Sequence, residues 1–255
     1  MIDLHSHILS GVDDGCASLA ESIALARASL DDGVRAIAAT PHVRSDYSTP
    51  ADVVNRLVDE LRAKLREAGV PLTVLPGGEI GLDCIDRIDA AELRSYGLGG
   101  SQYVLLEFPY SGWPLALEDT VLRMAAAGLR AVVAHPERNA EVRAQLGRLE
   151  RLVEVGALVQ VTAASLDGRA PRAVERTARL LVERGLAHLI ASDAHGSAVR
   201  APGLSTAAGS LGDDELGRWL TRDVPAAIVA GEDLPPRPGG HGSKRPWWRF
   251  GSPPL

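Results

Sequence analysis

The chain has 255 residues, 45% of them hydrophobic, enough to bury the core of one large domain, and α/β barrels commonly take this length as a single unit. A net charge of -6 argues against a surface-wide nucleic-acid interface, and no segment reaches the roughly 20 apolar residues that cross a bilayer, so no membrane insertion is expected. Two cysteines, Cys16 and Cys84, are too few for a disulfide framework, and no apolar run near the N-terminus has the length or basic flank of a signal peptide, which makes the cytoplasm the expected location.

In chain order, β-rich and helical runs alternate. A strand over residues 1–5 is followed by a helix over 18–32, a strand over 34–40, a helix over 50–68 and a strand over 72–76. A strand over 103–107 precedes a helix over 115–127, a strand over 131–134, a helix over 140–155, a strand over 158–162, a helix over 171–184 and a strand over 188–191. Pro50 and Pro171 open two of these helices, and Gly69 and Gly185 close them. Such alternation predicts a parallel sheet in an α/β domain spanning residues 1–233. Seven strand units instead of eight predict a distorted or incompletely closed (β/α)7 barrel. From Leu234 the chain turns rich in Pro, Gly and basic residues, with Lys244, Arg245, Trp247, Trp248, Arg249 and Phe250 clustered, and residues 234–255 are expected to be mostly disordered.

Histidines and carboxylates recur at the ends of these strands. His5 and His7 are two apart, so on an extended chain both side chains point the same way and can grip one metal. Asp13 and Asp14 precede Gly15 just beyond, a pattern that alone reads as a turn but that lies close to the histidine pair. His42 follows Thr40-Pro41, Glu79 follows Gly77-Gly78, and Glu107 ends Tyr-Val-Leu-Leu-Glu, where a carboxylate after four apolar positions is costly unless it is paired or metal-bound. The glycines are expected to let backbone approach the site closely. His135 stands in Ala-His-Pro-Glu-Arg, and Asp193 and His195 form a second pair two apart. Parallel strands around a barrel bring all these groups to one mouth, where such a mixture holds divalent metals. His188 begins a strand at the opposite end and His241 lies in the tail, so both are excluded from the site.

The set His5-Ser-His7, Asp13-Asp14-Gly15, Thr40-Pro41-His42, Gly78-Glu79, Leu106-Glu107-Phe108-Pro109, His135-Pro136-Glu137-Arg138 and Ser192-Asp193-Ala194-His195 resembles the polymerase and histidinol phosphatase (PHP) superfamily. More narrowly, the chain is similar to the bacterial PHP-type tyrosine-protein phosphatases of capsule and exopolysaccharide loci. That resemblance implies a distorted seven-stranded barrel with a trinuclear site, usually of Mn2+, although imidazole and carboxylate ligands also suit Fe or Zn. It implies that His5, His7, Glu79 and Asp193 hold one metal and that Asp14, His42 and His195 hold a second. Glu79, Glu107 and His135 would hold the third.

Metal-activated hydroxide would then attack a phosphate monoester, with Arg138 and Arg200 gripping the phosphoryl oxygens and Arg44 a weaker third contact. The implied substrate is a phosphotyrosine protein, specifically a tyrosine autokinase of polysaccharide assembly. Another activity of the superfamily, on a small phosphomonoester such as histidinol phosphate or on a phosphodiester, is the alternative; Glu107 leans against it. A thiol mechanism is excluded, because neither Cys16 nor Cys84 has an arginine six positions later.

Overall fold

The computed structural model describes residues 1–198 and 200–239, and within them ten strands and ten α-helices. The first half carries β1 (Ile2–Asp3), α1 (Leu19–Asp31), β2 (Ala36–Ala38), β3 (His42–Arg44), β4 (Tyr47–Ser48), α2 (Ala51–Glu67), β5 (Thr73–Leu75), β6 (Glu79–Gly81), α3 (Ala90–Ser95), β7 (Tyr103–Glu107) and α4 (Leu117–Ala126). The second half carries β8 (Arg130–Ala134), α5 (Ala140–Ala144), α6 (Gly147–Glu154), β9 (Leu158–Thr162), α7 (Arg172–Glu183), β10 (Leu189–Ala191), α8 (Leu204–Gly209), α9 (Asp214–Arg218) and α10 (Val224–Ala230).

Every strand region expected from the sequence contains a strand, but the pairing is divided between two sheets. One is three-stranded in the order β1-β2-β5, and the other is seven-stranded in the order β10-β9-β8-β7-β6-β3-β4. All pairs are parallel except the terminal hairpin of β3 with β4. Two of the expected strands break and cross from the first sheet to the second. The run through β2 resumes as β3 beyond Pro41, which has no N–H to give to a ladder, and the run through β5 resumes as β6 beyond Pro76-Gly77-Gly78. No closed ring of paired strands is present among the described residues. Instead the sheets are tied at the site end: a parallel bridge joins Ser6 to Ala194, with His7 N–H donating to Ala194 O at 2.8 Å and Asp193 N–H to His5 O at 2.8 Å.

The strands of the larger sheet are apolar on both faces, as burial between helices requires: Leu105, Val132, Val133, Val159, Val161 and Ile190 are fully buried. Helices cover this core by their apolar stripes. In α2 the buried residues are Val54, Val58, Leu61 and Leu65, a spacing of three and four that lines one face. Gly69, at φ +66°, ends α2, and Gly185, at φ +72°, ends α7, in the left-handed conformation that glycine reaches without cost. The helix expected over 140–155 is two helices, because Asn139 caps α5, Gln145 leaves helical geometry at φ -142°, and α6 starts afresh at Gly147. The close approach expected of Gly77 and Gly78 is to the core. A Cβ on Gly78 would lie 2.7 Å from the Tyr96 ring, and one on Gly77 would lie 3.0 Å from Thr40.

The described part of the tail packs on the domain. Leu234 packs on the core, Trp219 Nε1–H donates to Pro235 O at 3.1 Å, and Arg237 donates to Val182 O at 2.7 Å while lying over the Trp219 ring. His241 and the basic-aromatic cluster at 244–250 lie outside the described residues.

Candidate metal centre

All nine ligand candidates meet where the strands end. His5, His7, Asp14, His42, Glu79, Glu107, His135, Asp193 and His195 fall into four overlapping groups, and within each group the ligand atoms lie within 4.8 Å of one another. The alternation expected at the first strand holds: His5 and His7 face the site, while Ser6 between them turns away and donates to Ala38 O at 2.7 Å. The tightest convergence is that expected for one metal. His5 Nε2 and His7 Nε2 stand 3.3 Å apart, and they approach Asp193 Oδ1 at 3.3 and 3.4 Å and Glu79 Oε2 at 3.4 and 3.6 Å. The second expected set also assembles, with Asp14 Oδ1 lying 3.3 Å from His42 Nε2 and 3.4 Å from His195 Nε2, and His7 joins it. The third divides: His135 gathers with Glu79 and His5, whereas Glu107 gathers with Glu79 and His42, so Glu79 is their common member.

The donor set fits cations. Asp193, Glu79, His5, His7 and His135 are buried, and a buried carboxylate needs a positive partner. Burial pushes the pKa of Glu79 up, but the charge of His5 and the close approach of His135, His42 and His5 outweigh it and hold the group well below the usual carboxylate range. For Asp193 burial is likewise outweighed, by His5, His7 and Arg138. Burial opposes protonation of His7, yet Asp13 and Asp193 raise its pKa to about 10, so the field at this point favours positive charge. His42 Nδ1 and Glu79 Oε2 are only 2.9 Å apart, yet neither makes a hydrogen bond of acceptable geometry. Two buried polar atoms are thus left without a hydrogen-bond partner in a group whose ligand atoms lie within 4.8 Å of one another, a need that a shared cation would meet.

Two residues outside the expected set, Asp13 and Gln160, and the main chain of one within it, Asp193, orient the imidazoles. Asp13 Oδ2 lies 2.7 Å from His7 Nδ1 and accepts from the His42 N–H at 3.0 Å, while Asp13 Oδ1 accepts from Gly15 N–H at 2.9 Å. Gln160 Oε1 lies 3.0 Å from His5 Nδ1, and the Asp193 carbonyl lies 2.9 Å from His195 Nδ1. Each fixes a ring so that its Nε2 faces the site. Asp13 had a visible signal in its nearness to the histidine pair, and Gln160 had one as the lone amide inside Leu-Val-Gln-Val-Thr. Glu137, fully buried, accepts from Thr162 N–H at 3.0 Å and Ser165 Oγ–H at 2.8 Å, which anchors the loop carrying His135 and Arg138.

Among the described residues, the non-glycine positions with positive φ are His135, Asp193 and Arg200, at 40°, 52° and 47°. Each such position costs about 1–3 kcal/mol and concentrates at functional sites. Of the expected arginines, Arg138 Nη1 donates to Asp193 Oδ2 at 2.7 Å and Arg200 Nη1 lies 2.7 Å from His195 Nε2. Arg44 also reaches the site, but it is bound at 2.7 Å to both Glu107 Oε1 and Asp46 Oδ1. His188 lies outside the cluster, its Nδ1 accepting from Val159 N–H at 3.1 Å. No described helix is long and apolar enough to cross a membrane.

Residues 1–223 match the family model described as capsular polysaccharide synthesis, CpsB/CapC. Over 196 residues the chain is 39% identical to the tyrosine-protein phosphatase YwqE of Bacillus subtilis (strain 168), covering 76% of this chain and 77% of the relative. It is 30% identical over 210 residues to the tyrosine-protein phosphatase CpsB of Streptococcus pneumoniae, covering 79% and 86% of the two chains. Its fold matches one from the crystal structures of YwqE from Bacillus subtilis and CpsB from Streptococcus pneumoniae, described as unique metal-dependent tyrosine phosphatases. That match has a TM-score of 0.85 and 35% identity, and covers 94% of this chain and 100% of the other. The chain therefore belongs to the capsular polysaccharide synthesis family CpsB/CapC.

Proposed function

We propose that this chain is a metal-dependent phosphomonoesterase that removes phosphate from phosphotyrosine in proteins. The carrying observation is the convergence of His5 Nε2, His7 Nε2, Glu79 Oε2 and Asp193 Oδ1 in a member of a family whose named relatives are tyrosine-protein phosphatases. The nine clustered residues would hold three divalent ions, with Mn2+ the metal implied by resemblance and Fe or Zn equally compatible with the ligand set. Such ions acidify water and offset charge on phosphoryl oxygens.

The chain's own residues supply the rest. Arg138 and Arg200, each beside a ligand, hold the phosphoryl oxygens, and the planar guanidinium fork matches two oxygens at once. Asp13 and Gln160 keep the His7 and His5 rings in one tautomer and orientation. Tyrosine departs as a phenolate, a good enough leaving group that a strong general acid is dispensable.

Residues 1–233 act as one catalytic unit, the two sheets together making a distorted seven-stranded barrel open at the site. The physiological substrate is the phosphorylated tail of a tyrosine autokinase in polysaccharide assembly, and the enzyme works in the cytoplasm. The test is parallel hydrolysis of a phosphotyrosine peptide, histidinol phosphate and a short oligonucleotide with Mn2+ or EDTA. Preferential, Mn2+-dependent release of phosphate from the peptide is expected; preference for either other substrate would overturn the assignment.

A further inference from the structure

We infer that Tyr110 is a specificity-determining residue whose ring forms the wall against which the aryl group of the substrate lies; this rests on the phosphotyrosine reading above. Among the described residues no other aromatic side chain is exposed, whereas Tyr110 is 54% exposed. It nevertheless stands at the reacting end of the molecule. Its ring is parallel to that of His135, at 6° with centroids 6.1 Å apart, and its hydroxyl lies 3.4 Å from Arg138 Nη1.

The backbone beneath this ring is firmly held. Asn139, fully buried, donates through Nδ2 to Pro109 O at 2.7 Å and Gly112 O at 2.9 Å. Its Oδ1 accepts from the N–H groups of Glu141 and Val142 at 2.8 and 3.0 Å, and Ala140 N–H donates to Tyr110 O at 3.2 Å. Phe108 and Trp113 anchor the loop from below, edge to face at 5.6 Å. The loop bearing Tyr110 is thus pinned to the loop bearing His135 and Arg138, although the ring itself gains little from burial. A rigidly mounted, exposed aromatic beside a phosphate-gripping arginine has a direct chemical use. A phosphoryl group seated at Arg138 puts the ring of an aryl ester beside Tyr110, within range of offset or edge-to-face packing. An alkyl phosphate offers no such face, so Tyr110 selects aryl over alkyl phosphates.

The test uses the metal-loaded full chain as wild type, Tyr110→Ala and Tyr110→Phe. It compares kcat and KM for a phosphotyrosine peptide and for p-nitrophenyl phosphate with the inhibition constant of inorganic phosphate. Tyr110→Ala is expected to raise KM for both aryl substrates roughly three- to tenfold with kcat little changed, while phosphate inhibition moves by less than about twofold. Tyr110→Phe, which restores the ring without the hydroxyl, is expected to recover the lost affinity. An unchanged KM in Tyr110→Ala overturns the inference, and so does a phosphate inhibition constant that rises in step with KM, because Tyr110 would then only support Arg138. A wild type that hydrolyses neither aryl substrate overturns the phosphotyrosine reading as well, which separates the two failures.

Discussion

Asp13 illustrates how a side chain one position from a candidate ligand can govern a metal centre without joining it. Its Oδ2 serves His7 Nδ1 and the His42 N–H together, at 2.7 and 3.0 Å, so two candidate ligands lose their fixed orientation when it is removed. Asp13→Ala is expected to weaken metal affinity by about 10- to 100-fold, measured by metal titration of the chelated protein. The arginines divide in the same way, by what already occupies them. Arg138 adjoins Asp193 at the centre, whereas Arg44 is engaged by Glu107 and Asp46 on the side of Tyr47. Arg138→Ala is expected to lower kcat/KM for a phosphotyrosine peptide roughly a hundredfold, and Arg44→Ala by clearly less. Equal losses in steady-state assays would contradict that division. The clustering of the candidates was legible because most of them follow apolar strand runs, whereas Asp14 stood out only by its nearness to His5 and His7. The left-handed backbone at His135, Asp193 and Arg200 was not legible, since nothing in those residue types demands it and only the surrounding hydrogen bonds impose it.

At the scale of elements, the loop after β1 lies flush against the histidine pair. A Cβ at Gly15 would stand 2.3 Å from His7 O and 2.4 Å from His7 Cβ, so any side chain there must push the loop and Asp13 away. Gly15→Ala is expected to cost about 1–3 kcal/mol in urea denaturation of the chelated protein and to weaken metal binding as well. The strand regions were readable because β7, β8 and β9 are short, mostly apolar runs set between helical patterns. What escaped was the continuation of two strands past Pro41 and past Gly77-Gly78 into the second sheet. A proline and a glycine pair look like strand ends locally, and only the pairing partners of His42 and Glu79 show that the chain resumes as strand. The short helices α8, α9 and α10 also went unread, because six, five and seven residues are too few for a stable helical period.

For the whole molecule, the buried carboxylates are expected to make stability depend on bound cations. Metal that binds only the folded state adds about 3 kcal/mol at a hundred times its Kd, so EDTA is expected to lower the Tm by roughly 5–10 °C. Acid acts through a separate group far from the centre. Burial, with the charge of Arg237 adding to it, pushes His188 down to about 4, and its Nδ1 must stay unprotonated to accept from Val159 N–H. The unfolded chain takes up this proton first, so the contribution is full above pH 6.5 and is lost as pH falls towards 4. Because the ring keeps some contact with solvent, the loss is expected to be about 2 kcal/mol, and His188→Asn, which keeps an acceptor at that point, is expected to flatten this part of the pH–stability profile. The nine convergent residues are expected to form a metal centre that hydrolyses phosphotyrosine. The most direct test is the rate of phosphate release from a phosphotyrosine peptide by the wild type with Mn2+, the wild type with EDTA, and His135→Ala with Mn2+. Release by the first alone is the expected result; undiminished release in EDTA, or by the variant, would contradict it.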